Sequence, residues 1–297
     1  MGFLLIALAI FSALTSFICA KFITREIDDM VIITFWWFLS STIISMFFLF
    51  SSRVRKGIIE LKKHWLFILS VGLLSVAIVY FWFLSIDLAG IGFTTLWRKT
   101  EAVFVLILSL IFLKERFKLK ELSGILIAVT GAVLFVSKAK SFNQQAMIAV
   151  LFCSLFYALI FVSLKKYAFK FNLFSFVILR CFLVTIFLSL FMAFSQRRPQ
   201  LPGNFWTITL LFLGSATGII LHKYFFYSSL RYLEAAKAQA FYNLETVFTL
   251  VAGILIFGEA MSLFDFIFGG LIVIGALLIM SGGKESNPAK TTNLTGG

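Results

Sequence analysis

Long apolar runs separated by short polar segments dominate the chain, and most runs are close to the roughly 20 residues that a helix needs to cross a bilayer. Ten such runs occur, at about 2–20, 30–50, 65–86, 90–113, 120–137, 145–164, 172–194, 204–228, 233–257 and 264–281. The fifth and tenth runs are short, and charged residues interrupt the fourth, seventh, eighth and ninth. The pattern predicts an all-α membrane protein with ten transmembrane helices.

A second pattern repeats along the chain at an offset of 144 residues. The stretch Glu101-Ala-Val-Phe104 returns as Glu245-Thr-Val-Phe248, and 10 of the 36 positions from 101 to 136 carry the same residue type after the offset. Each half holds five helices, an odd number, so the halves must enter the membrane from opposite sides. We predict two inverted five-helix repeats, at 1–140 and 141–283, followed by a disordered cytoplasmic tail at 284–297.

Composition agrees with a lipid environment, since 61% of the residues are hydrophobic and the mean hydropathy is +1.04. The net charge of +13 does not indicate a nucleic acid partner, because the Lys and Arg residues stand mostly between the apolar runs. Cys19, Cys153 and Cys181 lie in apolar segments without metal-ligand spacing. We expect no metal, no other cofactor and no catalytic residue.

The distribution of basic residues predicts the orientation of the spans. With both termini inside, the inner segments hold fifteen Lys and Arg residues and the outer segments hold six. Cytoplasmic loops carry the excess of positive charge in membrane proteins. We therefore expect a multi-pass protein of the cell (inner) membrane with both termini in the cytoplasm.

The repeated motif also has a family resemblance. In each half the glutamate motif leads through an apolar run to a second glutamate, at Lys114-Glu115-Arg116 and at Gly258-Glu259, and a later helix closes with Gly131-Ala-Val-Leu134 or Gly275-Ala-Leu-Leu278. In these features the chain resembles the EamA-type permeases of the drug/metabolite transporter superfamily, over about residues 2–281. The resemblance implies a ten-helix secondary transporter. The proline usual after the first glutamate is replaced by Ala102 and Thr246.

Charged residues inside the predicted spans are the candidates for function. A charge at the bilayer centre costs about 2.5–3.5 kcal/mol, so such residues should face a polar interior and not lipid. Cations outnumber carboxylates there, which favours an anionic or zwitterionic cargo. The predicted substrate-binding set is Trp36, Tyr80, Arg98, Glu101, Arg180, His222, Lys223, Tyr242, Asn243 and Glu245.

The charged positions also predict particular contacts. Arg98 and Glu101 are spaced to pair along one helical face, and Lys99 should point to another helix or snorkel toward the lipid headgroups. Lys237 lies near the inner end of its span and is expected to snorkel. Glu101 and Glu245 should approach each other across the repeat axis, where they either bind cargo or a proton or hold helices together through buried hydrogen bonds.

Two further groups each leave a choice between packing and function. Gly214 and Gly218 precede His222 at intervals of four residues, which is typical either of close helix packing or of a cavity wall. Glu115 and Glu259 end their helices, and we expect them to be structural, bonding nearby backbone or the first turn of the next helix.

These observations favour a permease that moves a small polar or charged metabolite by alternating access, using a gradient because no GxxxxGK[ST] motif is present. The alternative within the same class is an exporter of amphipathic drugs or aromatic amino acids. An intramembrane enzyme or a channel is the rival from another class, and the two histidines, His64 and His222, form no catalytic box. The expected partners are the small-molecule substrate and the lipid bilayer, and the protein would be a monomer or a homodimer.

Overall fold

The computed structural model describes residues 1–24, 26–27, 29–136, 143–196, 199, 202–258 and 263–282, so Glu259 and the predicted tail lie outside the described residues. All regular elements in these ranges are helical. They are α1 (Gly2–Ile23), α2 (Met30–Phe48), α3 (Ser52–Leu61), α4 (Trp65–Trp97), α5 (Glu101–Leu108), α6 (Leu119–Val136), α7 (Gln144–Tyr167), α8 (Leu173–Phe194), α9 (Phe205–Ser215), α10 (His222–Ser229), α11 (Ala235–Tyr242), α12 (Leu244–Phe257) and α13 (Leu263–Gly282).

Several of these helices can cross a membrane. Within the described ranges, seven helical stretches are long and apolar enough to do so, at 2–23, 31–48, 52–86, 144–167, 173–194, 205–229 and 235–256, and a shorter apolar helix covers 266–279. They overlap eight of the ten predicted spans, all except the fourth and fifth. The protein is therefore an integral, multi-pass membrane protein, and the full count of ten spans stays a prediction.

The contacts of α4 with α7 involve both ends of the N-terminal half of α7. Phe81 stacks on a phenylalanine in the first half of α7, and the Asn143 side chain, at the start of α7, donates a hydrogen bond to the Leu88 carbonyl at 3.0 Å. Ten residues later, the Arg98 carbonyl accepts a hydrogen bond from Ser154, well inside α7, at 3.3 Å. These contacts place Leu88 at the start of α7 and Arg98 beside its middle.

Close helix packing settles the choice left open for Gly214 and Gly218. A Cβ atom at Gly214 would lie 2.6 Å from the Trp37 ring, and one at Gly218 would overlap the side chain of Ser16. These glycines therefore let α9 and the π-helical turn after it, Ala216–Leu221, pack directly on α1 and α2. They belong to a helix interface and not to the wall of a cavity.

The main apolar core lies among α1, α7, α8, α10 and α11. Phe161, Phe176, Phe226 and Tyr227 are fully buried there, and the rings of Phe161 and Phe226 stack with centroids 4.6 Å apart. This core packs against α7, α8 and α10, the helices that carry several of the buried polar residues described below.

Candidate functional site

Buried polar residues gather where two long helices are interrupted. A short 3₁₀ turn, Arg98–Thr100, separates α4 from α5, and Asn243 separates α11 from α12. Glu101 begins α5 and Glu245 lies in the first turn of α12, where the positive end of the helix dipole favours a carboxylate. The two interruptions lie close to the same place in the 144-residue repeat, and neither contains a proline.

Glu101 is 5% exposed and has partners on both sides. Its Oε1 accepts a hydrogen bond from Gln239 Nε2 at 2.9 Å, and its Oε2 lies 3.9 Å from Arg98 Nε. The predicted pairing of Arg98 with Glu101 is therefore confirmed. The Arg98 guanidinium also lies over the rings of Trp82 and Tyr157, at 5.1 and 5.8 Å from their centroids.

Glu245 has a cation of its own. Lys99 Nζ lies 3.0 Å from Glu245 Oε2, and Thr249 Oγ1 donates to Oε1 at 3.2 Å. Of the two orientations expected for Lys99, the structure shows the one toward another helix. Glu101 and Glu245 therefore have separate cation partners, while both interact electrostatically with Lys223 and Tyr242. The approach of the two carboxylates across the repeat axis stays a prediction.

Two further cations in the site lack a carboxylate partner within the described part of the chain. Arg180 on α8 is 9% exposed, and its guanidinium carbon lies 5.9 Å from the centroid of the Phe38 ring. Lys223 on α10 is also 9% exposed, donates a hydrogen bond to the Tyr157 hydroxyl at 2.5 Å and lies 4.7 Å from the centre of that ring. Lys223 interacts electrostatically with Arg180 as well as with both carboxylates of the site.

His222 interacts electrostatically with both of these cations and also contacts aromatic rings. Its Nδ1 lies 3.1 Å from the Gly218 carbonyl, and its ring stacks on Tyr242 with centroids 5.2 Å apart. Tyr242 also packs on Phe226 at 4.5 Å. The π-helical turn that ends just before His222 carries this side chain into the core, a distortion that is frequent at functional sites.

Several buried polar atoms around the interruptions make no hydrogen bond within the described chain. They are Glu101 Oε2, Arg180 Nε, His222 Nε2, Gln239 Oε1, Asn243 Nδ2 and Thr246 Oγ1. Native proteins leave few such atoms without water or a ligand, and a buried cation without an anion is unfavourable. We call Arg98, Lys99, Glu101, Arg180, His222, Lys223, Tyr242, Asn243 and Glu245, with Tyr157 and Gln239, the central polar cluster.

The structure places two predicted site residues outside this cluster. Trp36 lies on α2 against Phe35, with ring centroids 5.6 Å apart, and packs with the apolar residues between α1, α2 and α9. Tyr80 is 47% exposed and contacts Phe81. Tyr157 and Gln239 belong to the cluster but not to the predicted set, since their only signal in the sequence is a polar group within an apolar run.

Lys237 does not snorkel, contrary to the prediction. It is 7% exposed, and its Nζ lies 2.7 Å from Glu121 Oε1 and 3.1 Å from Glu234 Oε2. The expectation was wrong because the sequence pattern gave no indication that α6 brings Glu121 against α11. Lys237 therefore joins the N-terminal parts of α6 and α11 and lies apart from the central polar cluster.

Glu115 is structural, as expected, but its partner is different. Its carboxylate accepts hydrogen bonds from the backbone N–H groups of Ala235 at 2.7 Å and Ala236 at 3.4 Å. These groups form the first turn of α11, in the other half of the chain and not in the following helix α6. Glu115 therefore caps α11 and joins the two halves.

Comparison with known proteins assigns the family. The EamA-like transporter family matches the chain twice, over residues 1–137 and 144–281. An uncharacterized transporter of Archaeoglobus fulgidus is 26% identical over 273 residues, which cover 89% of this chain and 93% of that protein. A solved crystal structure matches with a TM-score of 0.75 over 93% of this chain and 95% of its own, and at 16% identity this likeness shows the fold alone. The chain is thus a member of the EamA-like transporter family.

Proposed function

We propose that the protein is a secondary transporter that moves a small anionic or zwitterionic metabolite by alternating access, with the cargo bound in the central polar cluster. The observation that carries this proposal is the pair of buried cations, Arg180 and Lys223, that have no carboxylate partner in the described chain. Interrupted helices with buried polar groups are typical of the substrate sites of secondary transporters. No bound cofactor is part of the proposal.

Two inverted five-helix repeats would build this site, at 1–140 and 141–283. The double match to the family and the matching interruptions before Glu101 and Glu245 support that organisation. In such a carrier the halves rock against each other around a fixed site. The side chains around the two ion pairs would then change, and the cargo site would be open to only one side of the membrane at a time.

We further propose that both termini face the cytoplasm of the cell (inner) membrane. Contacts between helix ends agree with the alternation that this topology requires. Lys165 donates hydrogen bonds to the carbonyls of Leu230 and Leu233 at 2.6 and 2.5 Å, all three on the expected inner side. Glu26 accepts a hydrogen bond from Asn204 at 2.8 Å, both on the expected outer side.

A second candidate function is export of aromatic amino acids or amphipathic drugs. The stacked rings of His222, Tyr242 and Phe226 favour it, since they offer a flat apolar surface beside the cations. An aromatic amino acid would use both features, with its carboxylate on the cations and its ring on the stack. A cationic drug would use only the rings and would be repelled by Arg180 and Lys223.

A ligand screen tests the proposal and separates these candidates. Purified protein would be scanned for thermal stabilisation by organic acids, amino acids and cationic amphiphiles. We expect acids or zwitterions to raise the melting temperature of the wild type and to lose this effect in Arg180→Gln. Stabilisation by cationic amphiphiles alone, equal in both proteins, would contradict an anion-binding site.

A further inference from the structure

A second polar site lies on α3, far in sequence from the residues of the central polar cluster. The segment 51–64, which the charge pattern presents as a basic loop, forms a helix from Ser52 to Leu61 and a short 3₁₀ turn. It joins the end of α2 at Phe48 to the start of α4 at Trp65. Because α3 is short and charged and connects two helices that can cross the membrane, we place it at the membrane surface.

One face of α3 is fixed firmly to the start of α8. Val54, Gly57 and Leu61 are buried, and the Ser175 hydroxyl donates a hydrogen bond to the Val54 carbonyl at 3.2 Å. A Cβ atom at Gly57 would lie 2.9 Å from Ser175 Cβ and 3.0 Å from Asn172 Cβ. Because a larger residue at Gly57 would overlap Ser175 and Asn172, glycine allows α3 to pack closely on the start of α8.

A groove of about 390 Å³ runs along the contact between the two helices. It is lined by Ser52, Arg53, Lys56, Gly57, Glu60 and Asn172. Arg53, Lys56 and Glu60 follow one face of α3 at intervals of three and four residues. In the described chain, neither Arg53 nor Lys56 forms an ion pair or a side-chain hydrogen bond, and both are exposed.

Large, exposed apolar side chains precede and follow α3 in the sequence. Phe50 is 83% exposed and Trp65 is 60% exposed, next to the ends of the two spans. Aromatic residues favour the level of the lipid headgroups. On the far side of α3, Ile59 is 62% exposed beside Arg55. A helix with basic and apolar exposed residues at this place fits the interface of an anionic membrane.

We propose that the groove binds the headgroup of an anionic phospholipid, of the kind that phosphatidylglycerol provides. Arg53 and Lys56 would bind the phosphodiester, and Ser52 and Asn172 would hydrogen-bond the hydroxyl groups of the headgroup. With Glu60 included, the groove carries a net charge of one positive unit, which one phosphodiester neutralises. The acyl chains would lie along the exposed apolar residues next to the groove.

Native mass spectrometry of the full-length protein in detergent, titrated with phosphatidylglycerol or phosphatidylcholine, tests this proposal. A basic residue near anionic lipid contributes roughly a five-fold gain in binding. The double variant Arg53→Gln/Lys56→Gln should therefore bind phosphatidylglycerol roughly 25-fold more weakly. The matched control Arg55→Gln/Lys62→Gln removes the same charge outside the groove and should lose less than about five-fold.

The opposite change gives an independent readout, in case the double variant does not fold. Glu60→Gln removes the carboxylate of the groove and should strengthen phosphatidylglycerol binding about five-fold. Equal losses in the two double variants, equal binding of phosphatidylcholine, or no effect of Glu60→Gln would overturn the proposal. Free glycerol 3-phosphate should not compete at the concentrations used for the lipid. Full competition by it would identify the groove as a site for soluble phosphate esters instead.

Discussion

Lys99 and Glu245 form an ion pair between the two halves of the chain, with 3.0 Å between Lys99 Nζ and Glu245 Oε2. Lys99 lies in the turn that interrupts the first half, and Glu245 lies in the first turn after the interruption in the second half. The two interruptions are therefore joined directly by charge. Both side chains are mostly buried, with exposures of 17% and 16%.

Removing one member of this pair should destabilise the protein. Lys99→Met or Glu245→Gln leaves one charge without its partner in a mostly buried place, at a cost of about 3 kcal/mol. Thermal unfolding in detergent measures the loss. The charge swap Lys99→Glu/Glu245→Lys is the matched control, and it should recover a large part of the stability. A swap that is no more stable than either single variant would show that the pairing does not matter.

Glu115 predicts a dependence of stability on pH. Burial raises the pKa of the Glu115 carboxyl above its usual value, and the hydrogen bond from the Ala235 N–H partly opposes this effect. A raised pKa means that the folded state prefers the protonated acid, so the stability that it contributes is lost as pH rises through the folded pKa. As pH falls through the folded pKa, the melting temperature of the wild type should therefore rise relative to that of Glu115→Gln. The exposed Glu60, replaced by Gln, provides the control, and an unchanged difference for Glu115→Gln would disprove the assignment.

The crossing of α6 and α13 depends on glycine. A Cβ atom at Gly275 would lie 2.5 Å from the Ala128 nitrogen and 2.6 Å from the Gly124 carbonyl oxygen, whereas one at Gly270 on the same helix would meet nothing within 4 Å. Gly275→Ala should cost about 1–3 kcal/mol because the helices must move apart. Gly270→Ala should leave stability unchanged or slightly raised, since alanine favours the helix. Equal melting temperatures for the two variants would contradict this packing.

The proposed topology can be tested without a cargo. Reporter fusions after Gly203 and after Lys284 should report the periplasmic and the cytoplasmic side, respectively. The expectation follows from the excess of basic residues in the inner segments and from the odd number of spans in each half. If both fusions reported the same side, the inverted arrangement would be wrong.

The sequence predicted the features that depend on local pattern. Eight of the ten apolar runs coincide with apolar helices that the structure describes, and the three-residue spacing predicted the Arg98–Glu101 pair. Contacts between distant segments were not predictable in this way. The prediction for Lys237 is wrong because its partner Glu121 lies 116 residues earlier, on a helix whose position only the fold determines.

Two local features were also missed, for physical reasons. The helix α3 is too short and too charged to resemble a span, and its packing depends on the contact of Gly57 with α8. The interruption at Asn243 occurs without a proline, in a stretch whose apolar pattern reads as one continuous helix. The sequence located the central polar cluster by its charges, whereas the partners of each charge required the structure.

Counterflow in proteoliposomes tests the central claim most directly. Vesicles loaded with an unlabelled acid or zwitterion that stabilises the wild type would be diluted into a trace of the labelled compound. We predict transient accumulation of label by the wild type, none by Arg180→Gln, and full activity in Arg231→Gln, whose guanidinium bonds backbone carbonyls away from the cluster. Equal counterflow by wild type and Arg180→Gln, or none by a wild type that binds the compound, would contradict a carrier with its cargo site at Arg180.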